Sequence, residues 1–188
     1  MSIPLPDSFF IRDAALVARE LLGAELVTEV DRHVVRAVIT ETEAYLGLDD
    51  PASHAYRGRR HAGNEGIYSP PGHWYVYRSY GIHWCANLVT GAPASGAAVL
   101  LRSVRIVEGL EGASRRRGAV AARQLSNGPG KLCQALGIDR TLDGQLMRTS
   151  GARIYPARTL VTEVQVTPRI GITRAADWPL RFVAGRGA

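Results

Sequence analysis

The apolar residues near the N-terminus follow a helical period. They occupy positions 14, 17, 18, 21 and 22, which share one face of an α-helix. Asp13 precedes them as a residue that can cap a helix N-terminus, and Gly23 follows as a residue that can end it. The pattern predicts one amphipathic helix between these two residues.

After this helix the pattern becomes that of β-strands. Residues 25–30 and 33–45 are rich in Val, Ile and Thr and are joined by Asp31-Arg32, which predicts a hairpin. In a regular strand alternate side chains share a face. One face of the second strand would then begin apolar and end in acids and an aromatic ring: Ala37, Ile39, Glu41, Glu43 and Tyr45. We interpret this strand end as the rim of a site.

A long irregular segment and a second hairpin follow. Residues 46–72 are rich in Gly, Pro, Asp and Arg without a sustained period, which indicates a long loop, and such loops are commonly functional. Residues 73–78 and 83–89 are β-rich runs around a short turn whose Gly81 can adopt unusual backbone angles. The pattern therefore predicts that Tyr80 lies at a hairpin tip.

The rest of the chain mixes short strands and helices. We expect a strand at 97–107, a basic helix at 114–125, and a short helix at 129–136 that ends at Gly137. Further short strands are predicted near Arg153 and at 161–166, 169–172 and 180–183. These elements predict an α+β fold over residues 1–188: a single domain with a mainly antiparallel, curved or barrel-like β-sheet, flanked by helices and carrying a protruding β-hairpin.

Length and composition restrict the class of protein. The chain has 188 residues, 46% hydrophobic and 21% charged, which is typical of globular domains. Its longest uncharged stretch is interrupted by polar residues and is unsuited to span a bilayer, and its first residues lack the features of an export signal. We therefore expect a cytoplasmic monomer, associated with the nucleoid if bacterial, that makes no membrane contact.

Charge is distributed unevenly along the chain. Residues 1–50 contain ten acids and four bases, whereas residues 51–188 contain seven acids and nineteen bases, so that net charges of −6 and +12 sum to +6. A segregated basic excess is typical of surfaces that hold phosphates, although a single basic run is usually only a solvated face. The candidates for contact with phosphates are Arg57, Arg59, Arg60 and Lys131, with the run 115–117 as a further one.

Glu41 and Glu43 are the first candidates for catalysis. An anonymous pair of acids at a strand end is more often solvated charge or a partner for arginine. The neighbouring Tyr45 and the loop residue His54 change that balance, because a carboxylate beside aromatic walls can act as a desolvated general base.

Aromatic residues cluster around the second hairpin. At least half of them should be structural, since strands use such rings for packing. Alternation nevertheless places Tyr75 and Tyr77 on the face opposite Trp74, so that one face is core and the other is a phenol-bearing surface suited to stacking bases. An exposed ring at the tip, Tyr80, is better suited to binding than to stability.

A metal centre or a serine nucleophile is disfavoured. The chain has no recognised metal-ligand spacing among its histidines, glutamates and two cysteines, and it has no G-x-S-x-G elbow. We expect neither a metal ion nor any other cofactor.

Two sequence blocks and several single residues occur in a recognisable order. The blocks are Glu-Thr-Glu-Ala-Tyr-Leu-Gly at 41–47 and Lys-Leu-Cys-Gln-Ala-Leu at 131–136. The other residues are His54, Pro71-Gly72, Tyr75-Val-Tyr77, Tyr80-Gly81, Asn87, Leu100-Leu-Arg102, Gly128-Pro129, Arg169-Ile-Gly171, Trp178 and Leu180-Arg-Phe182. Over most of its length the chain thus resembles the alkyladenine (3-methyladenine) DNA glycosylases of the mammalian type, with departures at 57–64 and 90–96.

The resemblance implies a monofunctional enzyme of base-excision repair. Such an enzyme flips an alkylated or deaminated purine out of double-stranded DNA and hydrolyses its N-glycosidic bond. By motif position, Glu43 resembles the general base that activates water, and Arg102 helps to hold the flipped nucleotide near that water. The other implied positions form a base pocket and an intercalating tip: Tyr45, His54, Tyr77 and Asn87 in the pocket, and Tyr80 at the tip.

The chemistry of base excision agrees with these roles. A nucleotide must leave the stack before its sugar can be attacked, at a cost of a few kcal/mol, and an inserted ring such as Tyr80 offsets part of that cost. Aromatic walls attract a methylated, cationic purine by about 0.5–2 kcal/mol per contact. An amide such as Asn87 can reject guanine through its exocyclic amine, and Glu43 can both stabilise an oxocarbenium-like sugar and take a proton from water.

Two other classes of function are compatible with the same residues. A non-catalytic nucleic-acid-binding module could use the basic and aromatic surface, and would bind with a steep salt dependence without releasing a base. A metal-dependent hydrolase would instead contain a stoichiometric metal ion.

Overall fold

One antiparallel sheet forms the centre of the fold. The computed structural model describes residues 3–30 and 32–185, and within them eight strands pair in the order β3-β4-β5-β2-β1-β6, with β8 between β2 and β7. The sheet is curved but not closed. The strands are β1 (Glu25–Val30), β2 (His33–Tyr45), β3 (Trp74–Ser79), β4 (His83–Thr90), β5 (Ala97–Glu108), β6 (Ala152–Tyr155), β7 (Val164–Thr167) and β8 (Arg181–Ala184).

Four α-helices flank this sheet in the described part of the chain. They are α1 (Asp7–Phe10), α2 (Ala14–Glu20), α3 (Leu110–Arg117) and α4 (Pro129–Leu136). The Asp13 carboxylate caps α2 by accepting hydrogen bonds from the backbone N–H groups of Ala15 and Leu16. In α4, Pro129 occupies the first turn and Gly137 ends the helix with a φ of +69°. Helix α4 therefore has the predicted bounds, whereas α2 begins as predicted and ends at Glu20, three residues before Gly23.

The long loop between β2 and β3 contains three short 3₁₀ turns. They cover Gly47–Asp49, Tyr56–Gly58 and Glu65–Tyr68. Asn64 holds the loop together, because its side-chain amide donates to the carbonyls of His54 and Arg59. The loop is thus ordered by its own polar contacts.

The predicted α+β class, the antiparallel sheet and the protruding hairpin are confirmed. The first hairpin joins β1 to β2 through the pair Val30–His33. The turn between these strands was predicted at Asp31-Arg32. Arg32 has a φ of +63°, and Asp31 lies outside the described residues. No helix in the described ranges is long and apolar enough to cross a membrane.

Two predicted elements of the C-terminal half are wrong. The helix expected at 114–125 is α3, which begins earlier and stops at Gly118, where a φ of +74° is incompatible with a continuing helix. The strand expected at 169–172 is absent from the described sheet, because side-chain contacts hold that segment against the end of β2. The strand expected at 161–166 begins only at Val164.

The prediction of regular alternation in β2 is also wrong. Pairing with β5 is irregular between Ile39 and Thr42, where each strand inserts one residue. Ile39 points into the core. Beyond the irregularity, the residues that face the same helices are Thr42 and Ala44, which are both buried. A β-bulge reverses which alternate side chains face the core. Glu43 therefore lies on the opposite face, away from Ile39.

The irregularity affects β5 in the same way. Leu101 and Val104 both belong to the core although three positions separate them, which breaks the period of two. Arg102, which follows Leu101, is left on the face that carries Glu43. The paired irregularity thus turns a glutamate and an arginine toward the same side of the sheet.

The hydrophobic core lies on the other side, between the sheet and the helices. Its strand residues come from the inward positions of all four central strands, and α2 and α4 cover them. Among its largest fully buried members are Trp74, Leu88, Leu101, Leu132 and Leu136. With one face fully covered by helices, polar chemistry is confined to the opposite face.

We predict that Thr42→Val destabilises the fold by about 1–2 kcal/mol, because the buried Thr42 hydroxyl donates to the carbonyl of Ala18 at 2.7 Å and valine cannot. Urea unfolding monitored by circular dichroism measures this difference. Thr162→Val, at an exposed threonine, should change the unfolding free energy by less than about 0.5 kcal/mol. Equal effects of the two substitutions would contradict the assignment of Thr42 to the core.

Candidate active site

A row of four residues crosses the sheet on the face away from the helices. Tyr75 in β3 pairs with Asn87 in β4, Asn87 with Leu100 in β5, and Leu100 with Glu43 in β2. None of the four belongs to the core cluster beneath the helices. The row forms a floor that brings two polar groups predicted to be functional, Asn87 and Glu43, onto one surface.

A cavity of about 500 Å³ lies above this floor, within the usual size range of small-molecule sites. The long loop forms one wall, the second hairpin another, and residues 170–172 a third. The predicted site residues that line it are Tyr45, His54, Tyr77, Tyr80, Asn87 and Arg102. The structure thus brings together residues that are up to 57 positions apart in the sequence.

Glu43 lies directly behind the cavity wall and is fully buried. Its Oε1 accepts a hydrogen bond of 2.7 Å from the Ile170 N–H and lies 3.2 Å from Arg102 Nη1, and its Oε2 accepts one of 2.9 Å from the Tyr45 hydroxyl. These three partners all line the cavity. A carboxylate oxygen can accept two hydrogen bonds. Among the described residues, Oε2 accepts one, from Tyr45, so that one acceptor position on Oε2 stays open.

Arg102 is held between two glutamates. Its Nε donates to Glu41 Oε1 at 2.9 Å, and Glu41 also accepts a hydrogen bond from Arg181. Burial opposes the charge of Arg102, but the negative charges of Glu43 and Glu41 outweigh burial and raise the pKa of the guanidinium. The site therefore contains a permanent cation whose position is fixed by two anions.

Tyr45 remains a hydrogen-bond donor at neutral pH. Burial and the adjacent negative charge of Glu43 both raise the pKa of its phenol far above the ordinary value. The hydroxyl therefore keeps its proton and directs it to Glu43 Oε2.

His54 forms an aromatic wall together with two tyrosines. Its Nδ1 shares a hydrogen bond of 2.7 Å with the Tyr75 hydroxyl, and its ring centroid lies 4.4 Å from that of Tyr77. Although His54 is partly open to solvent, loss of water around the ring lowers its pKa, and the charge of His61 adds to this effect. The imidazole is consequently neutral at pH 7.

Asn87 is fixed within the cavity wall. Its side-chain amide donates to the Tyr75 carbonyl at 3.0 Å, across the pair that joins β3 to β4. The side chain is buried and lines the cavity, so a ligand meets an amide that cannot rotate freely.

Tyr80 stands at the tip of the second hairpin, as predicted, and is 91% exposed. Tyr80 and Gly81 have φ values of +50° and +67°, and the Ile82 N–H donates to the Ser79 carbonyl to close the turn. Two successive positive φ values characterise the type I′ hairpin turn, which a tyrosine adopts only with strain. The hairpin therefore presents a large ring to solvent beside the cavity.

A wider groove of about 910 Å³ adjoins the cavity and shares His54, Tyr77 and Tyr80 with it. Four arginines from four different segments line this groove: Arg59, Arg78, Arg140 and Arg174. Its single acidic lining residue among those described, Asp143, accepts a hydrogen bond from the Val76 N–H. The groove therefore carries a strong positive charge.

Of the arginines and the lysine predicted to contact phosphate, only Arg59 lines this groove. Arg57 stacks on Tyr56, Arg60 pairs with Glu65 at 2.8 Å, and Lys131 donates to the Asn127 side chain at 2.9 Å. In the run 115–117, Arg115 pairs with Glu111, and the next two arginines donate to backbone carbonyls. The three in this run thus have partners within the protein.

Comparison with known proteins establishes the family. The family model for methylpurine-DNA glycosylases matches residues 8–187, and the chain belongs to this family. It is 45% identical over 186 residues to a protein of Granulibacter bethesdensis, an alignment that covers 96% of the chain and 84% of the relative. A protein of Carboxydothermus hydrogenoformans is 43% identical over 95% of the chain and 93% of the relative. A protein of Rhodopseudomonas palustris is 46% identical over 95% of the chain and 86% of the relative. All three carry the provisional name 3-methyladenine DNA glycosylase. The resemblance found in the sequence motifs is thereby confirmed.

Sequence reasoning missed several residues that build the site. The groove residues Arg78, Arg140 and Arg174 have no local signal, because each is one arginine among many. The Ile170 N–H is a backbone group and has no signature in the sequence. No group of three or more His, Cys, Asp or Glu side chains suited to a metal ion occurs in the described ranges.

We predict that the imidazole of His54 titrates below its ordinary pKa of 6.5. Because the folded state binds this proton less readily than the unfolded chain, the free energy of unfolding should fall as the pH drops from 6.5 toward the folded-state pKa. NMR titration of the ring protons gives the midpoint, and urea unfolding between pH 5 and 8 gives the stability. In His54→Gln the pH dependence should be shallower. Parallel profiles for the two proteins would refute the assignment.

Proposed function

We propose that the protein is a monofunctional 3-methyladenine DNA glycosylase that flips alkylated or deaminated purines out of double-stranded DNA and hydrolyses the N-glycosidic bond with a water activated by Glu43. Family membership and the names of the relatives support the substrate class. The observation that carries the mechanism is the Glu43 carboxylate, fixed behind an aromatic cavity and left with one acceptor position.

The aromatic walls suit a damaged base that carries positive charge. The rings of Tyr45 and Tyr77 offer electron-rich faces, each worth about 0.5–2 kcal/mol to a cation that has lost its water. His54 is neutral at physiological pH, so that it does not repel such a base. Recognition thus depends on the charge of the lesion as well as on its shape.

The fixed carboxylate suits the chemistry of the bond that breaks. Cleavage passes through an oxocarbenium-like sugar, which an adjacent anion stabilises without reorganisation when hydrogen bonds already hold the anion in place. The Ile170 N–H and the Tyr45 hydroxyl hold Glu43 in this way. The free position on Oε2 would accept a hydrogen bond from the attacking water and then its proton.

The cavity also contains a group that would exclude normal guanine. The Asn87 amide is held by the Tyr75 carbonyl and cannot swing aside. The exocyclic amine of guanine would clash with it, whereas adenine lacks an amine at that position. Asn87 would therefore guard the cavity against normal guanine.

The surroundings of the cavity suit an everted nucleotide in a duplex. Extrusion costs a few kcal/mol of stacking, which the exposed Tyr80 ring can partly replace by entering the gap. The four groove arginines would neutralise phosphates on either side.

A non-catalytic DNA-binding module is the alternative. Such a module would use Tyr80 and the arginines in the same way, but it has no need of a buried glutamate paired with an arginine beside the cavity. A buried charge is costly, so its presence favours catalysis.

We predict that Glu43→Gln lowers the single-turnover excision rate by on the order of 10²–10⁴-fold, because an amide can neither accept the proton nor stabilise the cation. Duplex DNA with one hypoxanthine or 3-methyladenine analogue is the substrate, and alkali reveals abasic sites. Binding of this duplex should change by less than about threefold.

Glu111→Gln is the matched control, because Glu111 is exposed and its ion pair among the described residues is with the exposed Arg115, outside the site. It should excise at the wild-type rate. Unchanged excision by Glu43→Gln would rule out the mechanism, and tight binding without any base release by the wild type would favour the binding module.

We predict that the double substitution Arg140→Gln/Arg174→Gln weakens binding to damaged and undamaged duplex alike. The slope of log Kd against log salt concentration should decrease by about 1 for each arginine removed. Arg115→Gln, at an exposed arginine outside the groove, should leave the slope unchanged. If the double variant binds with the wild-type slope, the groove does not hold the DNA backbone.

A further inference from the structure

A fully buried ion pair lies beneath the site. The side chains of Asp50 and Arg169 are both 0% exposed and form a two-pronged contact. Arg169 Nη2 donates to Asp50 Oδ1 at 2.9 Å, and Arg169 Nη1 donates to Asp50 Oδ2. Asp50 also accepts the backbone N–H groups of Leu46 and Ala52, both at 3.0 Å. All four acceptor positions of this carboxylate are occupied, in contrast to those of Glu43.

The pair joins three segments that build the cavity. Arg169 Nη1 donates to the Ala44 carbonyl at the end of β2. Asp50 fixes the start of the long loop that leads to His54. Arg169 itself belongs to the stretch between β7 and β8, which forms no strand pairs in the described sheet. The Ala44 N–H donates to the Leu180 carbonyl at the far end of this stretch, and near Arg169 its position depends on side-chain contacts.

Arg169 is linked to both hydrogen-bond donors of Glu43. It immediately precedes Ile170, whose N–H donates to Glu43 Oε1. Its guanidinium carbon lies 4.7 Å from the centre of the Tyr45 ring, whose hydroxyl donates to Oε2. Neither Asp50 nor Arg169 lines the cavity. Any effect on a bound nucleotide must therefore act through neighbouring residues, among which Glu43 and Tyr45 are linked to Arg169 most directly.

Stability alone is a poor reason for this arrangement. Burying two charges costs much of what their attraction returns, and apolar residues of similar size often stabilise a core equally well. The Nε of Arg169 adds to the cost, because it is buried without a hydrogen-bond partner among the described residues. What a two-pronged arginine contact supplies is a defined geometry.

We infer that the Asp50–Arg169 pair is a positioning device for Glu43, which sets the Ile170 N–H and the Tyr45 hydroxyl so that one acceptor position of the carboxylate is aimed at the nucleotide to be cleaved. The inference rests on the proposed function for its effect on catalysis. Its effect on the geometry of the Ile170 N–H is independent of that function.

The test compares two variants of the pair. Asp50→Asn/Arg169→Met removes both charges, so that neither is left buried alone, and Arg169→Lys keeps the charge but loses the two-pronged contact. Glu25→Gln is the matched control, because Glu25 is another buried acid paired with two arginines and lines neither the cavity nor the groove. For each protein we would measure unfolding in urea, hydrogen exchange at the Ile170 amide, binding of lesion DNA and the single-turnover excision rate.

Both pair variants should exchange the Ile170 amide at least about tenfold faster than the wild type. Their excision rate should fall by about 10²-fold while binding of lesion DNA stays within about threefold. Glu25→Gln should show neither change, even where its loss of stability equals theirs. The double variant keeps the test valid if Arg169→Lys folds poorly.

A wild-type exchange rate at Ile170 would overturn the inference, and so would wild-type excision by a variant whose exchange is faster. The inference would also be overturned if excision by the variants returned to the wild-type rate whenever their folding stability was restored. The pair would then act only on folding. If the wild type releases no base, the proposed function fails, and exchange at Ile170 still decides whether the pair positions the donor to Glu43.

Discussion

The site depends on the break in alternation at the centre of β2. Had the strand been regular, Glu43 would share the face of Ile39 and enter the core beneath the helices, where an ionised carboxylate is prohibitively costly. The bulge turns Glu43 to the opposite face, and its counterpart in β5 turns Arg102 to meet it. The remaining contacts orient this buried carboxylate through hydrogen bonds without using all of its acceptor positions.

Charge is arranged in two layers around the cavity. Inside, Glu41 and Glu43 pair with Arg102 and Arg181, so that two acids and two bases form one connected network behind the cavity. Outside, the groove is lined by arginines that face the solvent. A duplex would meet positive charge first, and only an everted nucleotide would reach the carboxylate. The acids of the inner layer come from the first fifty residues, and the arginines of both layers come from the basic remainder of the chain.

Local patterns in the sequence predict the elements of this fold well and their relative placement poorly. The N-terminal strand pair, the Tyr80 hairpin and helix α4 were predictable, because alternation, turn residues and Gly-Pro boundaries are local signals. The bulge was not, since it arises from the register of β2 against β5 and β8. Helix α3 was misplaced because alanines and Arg123, which favour a helix, follow Gly118, where the helix in fact stops. Arg169 belongs to the motif at 169–171, but nothing in the sequence links it to Asp50, which lies 119 positions away, and the groove arginines are joined only by folding. The roles of Glu43 and Tyr45 came from a family resemblance that the comparisons confirm.

The most direct test of the account is a crystal structure, near 1.5 Å resolution, of the protein bound to duplex DNA with a non-hydrolysable analogue of a damaged purine nucleotide. The account predicts an everted base between Tyr45 and Tyr77, and an ordered water about 3 Å from both Glu43 Oε2 and the sugar C1′. A nucleotide that stays stacked in the duplex, or a fourth protein donor in place of that water, would contradict it.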